Sequence, residues 1–131
     1  MDQSHCPFCG IERSRFFLDN EVAAAFADAF PIADGHTLVI PKRHVACLFD
    51  LSDEEQAAVW RLVALVRAKL ASALSPDGFT VGVNDGPAAG QTVMHAHVHI
   101  VPRRQGDVAD PRGGIRWIMP GKARYWDEGK R

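Results

Sequence analysis

The sequence has no long uninterrupted hydrophobic segment and almost no net charge. Its longest mostly apolar run, residues 57–74, is interrupted by Arg61, Arg67 and Lys69, which makes it too polar to span a bilayer. Residues 1–30 contain several acidic side chains and no apolar leader core, so no secretory signal is expected. A formal net charge of −1 gives no electrostatic reason for a nucleic-acid partner. We therefore expect a cytoplasmic protein that binds neither membranes nor nucleic acids.

The sequence is also poor in cysteine, with three residues in total. An odd number without a secretory leader argues against a disulfide scaffold. Cys6 and Cys9 nevertheless have the Cys-x-x-Cys spacing of half a tetrahedral zinc site, and the βαβ context of a redox motif is missing. His44 and His95 are candidates for the other two ligands, with His5 a poorer one because it adjoins Cys6. The alternative is a pair of reduced, packed cysteines without a metal.

What the sequence does contain is the composition of an ordinary globular domain. Of its 131 residues, 47% are hydrophobic and 24% are charged, and it contains no internal repeat or low-complexity segment. These values fit a single domain over residues 1–131. Beyond Pro102 no periodic pattern continues, so we expect an irregular C-terminal region.

Hydrophobic patterning predicts an α+β fold. Strands are predicted at residues 16–18, 22–26, 36–40, 79–83 and 93–101, with the first two forming a hairpin, although the alanine-rich 22–26 could also be helical. A capping box at residues 52–55 predicts the start of one long helix, and Pro76 and Gly78 predict its end. The apolar face expected on this helix consists of Trp60, Val63, Val66, Leu70 and Leu74. Strands on either side of one helix suit an antiparallel sheet with the helix packed on one face.

Histidine alternates with an apolar residue over residues 95–100. On a strand, successive side chains point to opposite faces, so His95, His97 and His99 would share one face while the residues between them enter the core. A neutral imidazole is a good nucleophile toward phosphorus near neutral pH, so the arrangement favours phosphoryl or nucleotidyl transfer. The main alternative is a metallohydrolase in which the three histidines hold a catalytic ion.

Polar residues near this segment would support such a transfer. His36 or a backbone carbonyl would bind the second ring nitrogen of the attacking histidine and fix its tautomer. The glycine-containing turn before the histidines would let the backbone approach a ligand closely. Hydrogen-bond donors to the phosphate oxygens would be the loop amides, a protonated His99, Asn84, Gln91 and Thr92.

From Asn84 to His99 the sequence resembles the histidine-triad (HIT) superfamily of nucleotide hydrolases and transferases. The resemblance rests on the pattern His-φ-His-φ-His, with φ apolar, preceded by Ala-Gly-Gln-Thr-Val. It continues upstream through residues 26–31 and 35–44 and covers about residues 6–104. It implies a single HIT domain with a five-stranded antiparallel sheet, one long and one short helix, and a homodimer whose sheet continues across the interface. Residues 105–131 would form an irregular tail.

The resemblance also assigns roles to individual residues. It implies that His97 is the nucleophile, that His99 contacts the scissile phosphate or its bridging oxygen, and that His36 lies behind the triad. Asp28 would hold the ribose hydroxyls, which suits a carboxylate because it accepts from both. The positions around the base are Phe8, Ile11, Phe26, Ala27 and Ala29, and those around the phosphate are Asn84, Gly90, Gln91 and Thr92. The zinc-containing branch resembles this chain in Cys6, Cys9, His44 and His95, which implies one structural zinc per chain.

Two branches of the superfamily share features with this chain. Residues 100–107 resemble the fragile-histidine-triad type, which cleaves dinucleoside polyphosphates and carries a similar Pro-Arg-x-x-Gly-Asp. Arg103 and Arg104 would also suit a longer anionic phosphate chain, whereas Asn84 resembles the branch that cleaves nucleoside phosphoramidates. We expect cleavage of dinucleoside polyphosphates, such as diadenosine tri- or tetraphosphate, at the α-phosphate through a nucleotidyl-His97 intermediate. A purine nucleoside phosphoramidase and a non-catalytic nucleotide-binding module remain alternatives.

Overall fold

The computed structural model describes residues 5–127 and contains one five-stranded antiparallel sheet. The strands follow the order β1-β2-β3-β5-β4 across the sheet. The expected α+β architecture, with one long and one short helix, is confirmed. In chain order its elements are β1 (Leu18–Asp19), β2 (Ala23–Ala27), β3 (Thr37–Pro41), α1 (Asp53–Leu74), β4 (Gly78–Val83), β5 (Val98–Arg103) and α2 (Pro120–Ala123).

The hairpin of β1 and β2 is held by the side chain of Asn20. Its Oδ1 accepts hydrogen bonds from the backbone N–H of Val22 at 2.9 Å and of Ala23 at 2.8 Å. An asparagine side chain that binds the following backbone amides stabilises a tight turn. The alanine-rich segment is therefore a strand, because its backbone pairs with β1 on one side and β3 on the other.

The predicted capping box starts α1. The Ser52 hydroxyl accepts from the Glu55 backbone N–H at 3.1 Å, and the Glu55 carboxylate accepts from the Ser52 N–H at 3.0 Å. These bonds satisfy two backbone donors that the first turn would otherwise leave unpaired. The helix ends at Leu74, where Ser75 adopts a left-handed conformation with φ of 48°.

The buried face of α1 is rotated from the predicted one. Trp60 is 40% exposed, so its assignment to the apolar face is wrong. Successive helical residues are separated by about 100° around the axis, and Val59 rather than Trp60 continues the three- and four-residue steps toward the sheet. The residues that α1 buries are Ala58, Val59, Leu62, Val63, Val66 and Leu70, with Leu74 partly buried beside them.

The sheet has one face covered by α1 and one open face. Alternate residues of the central strands, among them Val39, Val98 and Ile100, point to the covered face and form the main core with α1. The residues between them point to the open face, where Phe26, Leu38 and Ile40 form a smaller apolar cluster. Phe8, Ile11 and Phe16 pack against that cluster. The period of two along a strand thus separates the core from the face on which the histidines lie.

The last strand begins five residues later than predicted. β5 starts at Val98, so residues 93–97 are irregular and of the three histidines only His99 lies on a strand. Val98 is the first residue of β5 that pairs with either neighbour, with Val39 of β3 on one side and Val83 of β4 on the other. Before it, the Ala96 N–H instead bonds the carbonyl of Val45 at 2.7 Å. β4 ends at Val83, and the last residues of β3, Ile40 and Pro41, pair with β2 and not with the histidine segment, so the ladder has no partner before Val98.

The region after β5 is more ordered than expected. It contains a 3₁₀ helix at residues 114–118 and the short α2. Residues 128–131, part of the predicted tail, lie outside the described range. Within residues 5–127, no helix has both the length and the apolarity needed to cross a membrane.

Candidate active site and metal-binding cluster

A cavity of about 440 Å³ opens on the uncovered face of the sheet. It is bounded by the N-terminal turn, by β2 and the loop after it, and by residues 84–93 and the end of the histidine segment. Most of the predicted nucleotide-binding residues line it together with His97 and His99. The lining residues are Pro7, Phe8, Ile11, Arg15, Phe26, Asp28, Ala29, Phe30, Leu38, Asn84, Gly90, Thr92, Val93, His97 and His99.

Two of the predicted nucleotide-binding residues, Ala27 and Gln91, do not line the cavity. Ala27 follows Phe26 on β2, and alternation along the strand turns it to the opposite face, beside Gly35 and Leu70. Gln91 is 6% exposed and uses its side chain within the protein. Its Nε2 donates to the carbonyls of Ala46 at 2.9 Å and Val93 at 3.0 Å, while its Oε1 accepts from the Gly86 N–H at 2.9 Å. Gln91 therefore holds the loop in place and does not project into the cavity.

The tautomer of His97 is fixed by a backbone carbonyl. Its side chain is 8% exposed, and its Nδ1 lies 2.8 Å from the carbonyl oxygen of His95. Because a carbonyl oxygen only accepts, Nδ1 carries the hydrogen and Nε2 keeps its lone pair. A carbonyl, one of the two expected partners, thus orients this ring, and in its neutral form the lone pair is on Nε2.

His36 contacts His99 instead of His97. The His36 Nδ1 accepts from the Ile32 backbone N–H at 3.2 Å, so its Nε2 carries the hydrogen. That Nε2 lies 2.9 Å from the His99 Nδ1 and 3.3 Å from the Asp28 carboxylate. His99 then accepts at Nδ1 and carries its hydrogen on Nε2. The Ile32 amide thus fixes the tautomer of His36, and His36 in turn fixes that of His99. As a result, His99 can donate a hydrogen bond from Nε2.

Both rings of this pair are neutral in the ligand-free protein. Burial lowers the pKa of His36, and the Asp28 carboxylate opposes that shift. Burial also lowers the pKa of His99, with further lowering by His97 and His36. The expectation of a protonated His99 is wrong here, because the ring is desolvated among other histidines. The 3.3 Å approach of the Asp28 carboxylate to His36 is accordingly a contact with a neutral ring and not an ion pair, since the Nε2 hydrogen is donated to His99.

The sulfur atoms of Cys6 and Cys9 and one ring nitrogen each of His44 and His95 all lie within 4.8 Å of one another. The Cys9 Sγ is 3.1 Å from the His44 Nδ1, and the His95 Nδ1 is 3.4 Å from the Cys6 Sγ and 3.5 Å from the Cys9 Sγ. Zinc–sulfur bonds of about 2.3 Å and zinc–nitrogen bonds of about 2.0 Å give tetrahedral S···N edges of roughly 3.5 Å. The four predicted residues therefore fit a tetrahedral zinc ion.

The tautomer of His95 suits this metal cluster. Its side chain is fully buried, and its Nε2 lies 2.8 Å from the carbonyl oxygen of Pro41, which requires the hydrogen on Nε2. The lone pair on Nδ1 then faces the two sulfur atoms. A carbonyl behind a metal-binding histidine commonly fixes ring orientation in this way.

The three histidines of the triad do not form one metal site. In the described part of the chain, possible metal-ligand groups unite His95 with the cysteines and His99 with Asp28 and His36, and His97 belongs to neither. The metallohydrolase alternative, in which one catalytic ion is held by His95, His97 and His99, is therefore not supported by the geometry. Neighbouring rings of the segment have separate partners.

The predicted phosphate-binding role of Arg103 and Arg104 is also wrong in this structure. Arg103 makes a bidentate ion pair with Asp107, at 2.7 and 2.8 Å, and Arg104 donates to the carbonyls of Leu74 and Ser75. These groups lie beside a separate concavity of about 470 Å³ at the end of β5. That concavity contains none of the histidines.

Sequence reasoning missed two cavity residues with distinctive chemistry. Arg15 places its guanidinium 5.9 Å from the centre of the Phe26 ring, beside the cavity. Phe30 lies at the cavity rim with 87% of its side chain exposed. Arg15 belongs to no motif and lies in a short 3₁₀ turn, whereas Phe30 lies within the 26–31 segment of the family resemblance, which implied no role for it. Their proximity to the site depends on how those segments fold over the sheet.

Comparison with known proteins identifies the family. The family described as HIT domain matches residues 11–106. An uncharacterized 16.1 kDa HIT-like protein of Mycoplasma pneumoniae is 46% identical over 107 residues, which are 79% of this chain and 74% of that protein. The asymmetrical bis(5'-nucleosyl)-tetraphosphatase of Schizosaccharomyces pombe is 39% identical over 97 residues, 74% of this chain and 53% of its own.

A solved structure supports the same assignment. The zinc-bound histidine triad family protein of Mycobacterium smegmatis is 37% identical, with a TM-score of 0.69 over 83% of this chain and 82% of its own. The sequence match spans the sheet, α1 and the histidine segment, and the fold agrees with it. The chain therefore belongs to the HIT domain family.

Proposed function

We propose that this protein is a nucleotide hydrolase that cleaves dinucleoside polyphosphates, such as diadenosine tri- or tetraphosphate, at the α-phosphate through a covalent nucleotidyl-His97. The observation that carries the proposal is the bond between the His97 Nδ1 and the His95 carbonyl. It leaves the Nε2 lone pair of a cavity-lining imidazole available to attack phosphorus.

The cavity offers complementary surfaces for each part of a nucleotide. The apolar side chains of Phe8, Ile11 and Phe26 would enclose the base, for which we propose adenine. Asp28 would accept hydrogen bonds from the ribose hydroxyls. Near the histidines, Asn84 and Thr92 would donate hydrogen bonds to phosphate oxygens.

The loop before the histidines would bring its backbone to the phosphate. Gly90 lines the cavity and has φ of 94°, a left-handed conformation that side chains disfavour. Gln91 holds this loop from below through its three hydrogen bonds. Gln91 would therefore position the loop, and these hydrogen bonds would account for its presence in the sequence motif.

The reaction would proceed in two displacements. In the first, the His97 Nε2 forms a bond to the α-phosphorus, and the bond from phosphorus to the bridging oxygen breaks as the remaining nucleotide leaves as an anion. In the second, water attacks phosphorus, the P–N bond breaks, and its electron pair returns to Nε2. The water proton goes to the nucleoside monophosphate or to solvent, and His97 keeps the hydrogen on Nδ1 throughout.

The state of His99 favours a polyphosphate leaving group. Its neutral ring carries a hydrogen on Nε2 that would bond the bridging oxygen as negative charge develops there. A polyphosphate leaves as an anion and requires only this hydrogen bond. The amine released from a phosphoramidate must take a proton, which a neutral imidazole supplies poorly. The name of the Schizosaccharomyces relative, a tetraphosphatase, supports the same preference.

The neutral state of His99 weighs against the phosphoramidase, and the fixed tautomer of His97 weighs against the binding module. A phosphoramidase would gain from a protonated His99, and a non-catalytic binding module would not need a nucleophile with a fixed tautomer. We retain both as outcomes of the test. The carbonyl that orients His97 is the feature that distinguishes catalysis from binding.

We also propose that Cys6, Cys9, His44 and His95 hold one zinc ion per chain. Four protein ligands complete a tetrahedral shell and leave no position for a reacting water, so the zinc would be structural. The homodimer remains a proposal. β4 lies at the edge of the sheet, where its outer backbone groups would be available to pair with the same strand of a second copy. A cytoplasmic location is likewise a proposal.

Trapping the intermediate tests the proposal directly. Wild-type protein is mixed with labelled diadenosine tetraphosphate and, separately, with an adenosine phosphoramidate, and is quenched in alkali, in which phosphoramidate bonds survive. We expect faster turnover of the tetraphosphate and a labelled peptide that contains His97. Label on another residue would contradict the nucleophile assignment, faster cleavage of the phosphoramidate would favour that branch, and binding of AMP without cleavage of either compound would favour the binding module.

A further inference from the structure

We infer that the metal cluster positions Phe8 against the nucleotide, so that zinc binding and nucleotide binding are thermodynamically coupled. The inference rests on the proposed function. Phe8 lies inside the Cys6–Cys9 turn, between the two cysteine ligands. Its ring also lines the cavity. One short segment of chain therefore contributes to both sites.

The ring of Phe8 lies between a metal ligand and the proposed nucleophile. Its centroid is 5.9 Å from that of His95 and 5.1 Å from that of His97, with both pairs in an edge-to-face arrangement. It is also 5.5 Å from the ring of Phe26 on β2. Edge-to-face ring pairs at these separations are favourable contacts. A displacement of Phe8 would therefore alter both the base-binding wall and the packing against His97.

In the described part of the chain, the turn that carries Phe8 has few hydrogen bonds besides those of the cysteines. Its own backbone bonds, from Ile11 N to Phe8 O and from Cys9 N to the Cys6 Sγ, are both local and 3.4 Å long. The polar contacts that the structure describes between residues 6–10 and distant parts of the chain end on the two sulfur atoms. They reach His44, 35 positions away from Cys9, and His95, 89 positions away from Cys6.

A metal would convert these contacts into bonds. Zinc bound by all four residues would join the turn to two distant parts of the chain and fix the backbone on both sides of Phe8. Without it, the half-buried ring would keep only its packing against the apolar cluster of Phe26, Leu38 and Ile40. We therefore expect a graded loss of nucleotide affinity on metal removal and not a complete one. Because binding linkage is reciprocal, nucleotide must hold the metal more tightly by the same factor.

The test measures both sides of this linkage with AMP and zinc as probes. The first measurement is the Kd of AMP for zinc-loaded and chelator-treated protein, with the fold followed by circular dichroism. The second is the rate at which a chelating dye takes zinc from folded protein, with and without saturating AMP. This second measurement requires no stable zinc-free protein, so the inference stays testable if metal removal unfolds the chain.

Three variants separate coupling from simple packing. Phe8→Ala removes the ring, and Phe8→Tyr keeps its aromatic face. Phe16→Ala is the matched control, because Phe16 packs in the same apolar cluster as Phe8 but does not line the cavity. We expect zinc removal and Phe8→Ala each to weaken AMP binding about tenfold, the scale of one base–aromatic contact. Together they should cost no more than either alone.

The expected release rates follow from the same argument. Zinc can leave only when the turn opens, so AMP held against Phe8 should slow zinc release about tenfold in the wild type, Phe8→Tyr and Phe16→Ala, and should leave it unchanged in Phe8→Ala. Equal slowing in Phe8→Ala, or additive losses of AMP affinity, would overturn the coupling while leaving the proposed function intact. Zinc-loaded wild type that binds no AMP would overturn the proposed function and this inference with it.

Discussion

The two faces of the sheet contain different kinds of residue, and β5 contributes to both. Val98 and Ile100 point to the face covered by α1, where they belong to the main hydrophobic core. His99, between them, points to the open face, where it is hydrogen-bonded to His36, which also contacts the Asp28 carboxylate. The covered face supplies packing energy, and the open face supplies donors, acceptors and a cavity. The alternation of side chains along β5 thus separates residues that stabilise the fold from residues that line the cavity, so each set can be altered alone.

The largest effect should follow from His97→Ala on the open face. Removal of the nucleophile should lower kcat/KM for diadenosine tetraphosphate by roughly 10⁴-fold or more. AMP affinity should remain close to the wild-type value, since the cavity walls are intact. Steady-state hydrolysis and calorimetric titration measure the two quantities. Near-normal turnover would show that another group attacks phosphorus.

Leu62→Ala on the covered face should have the opposite effect, a loss of stability without a loss of activity. Leu62 is fully buried in the core, so truncation should lower the free energy of unfolding by about 2–5 kcal/mol. The kcat of the folded fraction should be unchanged. Urea denaturation measures the loss, and Leu65→Ala is the control because Leu65 is exposed on the same helix. A lowered kcat in folded Leu62→Ala would mean that the two faces are not independent.

A smaller loss is expected from His36→Ala. His36 holds the donor tautomer of His99 without reaching the cavity itself, so its removal should lower kcat roughly 10- to 100-fold. KM should change little, because no substrate contact is lost. Initial rates over a range of substrate concentrations separate the two parameters. A change confined to KM would indicate that His36 acts on binding.

The pH dependence of the free energy of unfolding should also report on His36. Burial lowers the pKa of His36 and His99 in the folded state, so the unfolded chain binds more protons as the pH falls through about 6.5. The free energy of unfolding should therefore decrease as the pH is lowered from about 7 to 5. The decrease should be shallower in His36→Ala, which denaturation series at fixed zinc concentration would show. Identical slopes would contradict the buried, neutral assignment.

The smallest effect is expected from Arg103→Ala. The Arg103 guanidinium pairs with Asp107 beside a separate concavity, so kcat/KM should stay within about twofold of the wild-type value. Arg15→Ala is the informative comparison, because Arg15 lines the cavity and its loss should raise KM more. A larger effect at Arg103 than at Arg15 would restore the role that the sequence motif suggested.

Local signals in the sequence predicted local structure well. The capping box at Ser52 and Glu55 is formed as expected, because its partners are three residues apart. The alternation of histidine with apolar residues correctly placed Ala96, Val98 and Ile100 in the core. The start of β5 was predicted too early, because it depends on where its pairing with β3 and β4 begins.

Non-local contacts account for the other errors at the site. Gln91 has the position of a phosphate ligand in the motif, yet its amide binds Ala46, 45 residues away. Ala27 adjoins Phe26 in the sequence but faces the opposite side of the sheet. Arg104 follows the triad by five positions and donates to the carbonyl of Leu74, 30 residues away. Each outcome depends on a partner that spacing alone does not reveal.

Periodicity and residue type were enough to predict the fold class and the family and to identify candidate reactive groups. The sequence also brought Cys6 and Cys9 together as a pair through their spacing. Only the tertiary structure decided which nitrogen of each imidazole carries a hydrogen, since that depends on carbonyl and amide groups contributed by His95, Pro41 and Ile32. The chemistry of a histidine is set by the partner of its second nitrogen, and the fold supplies that partner.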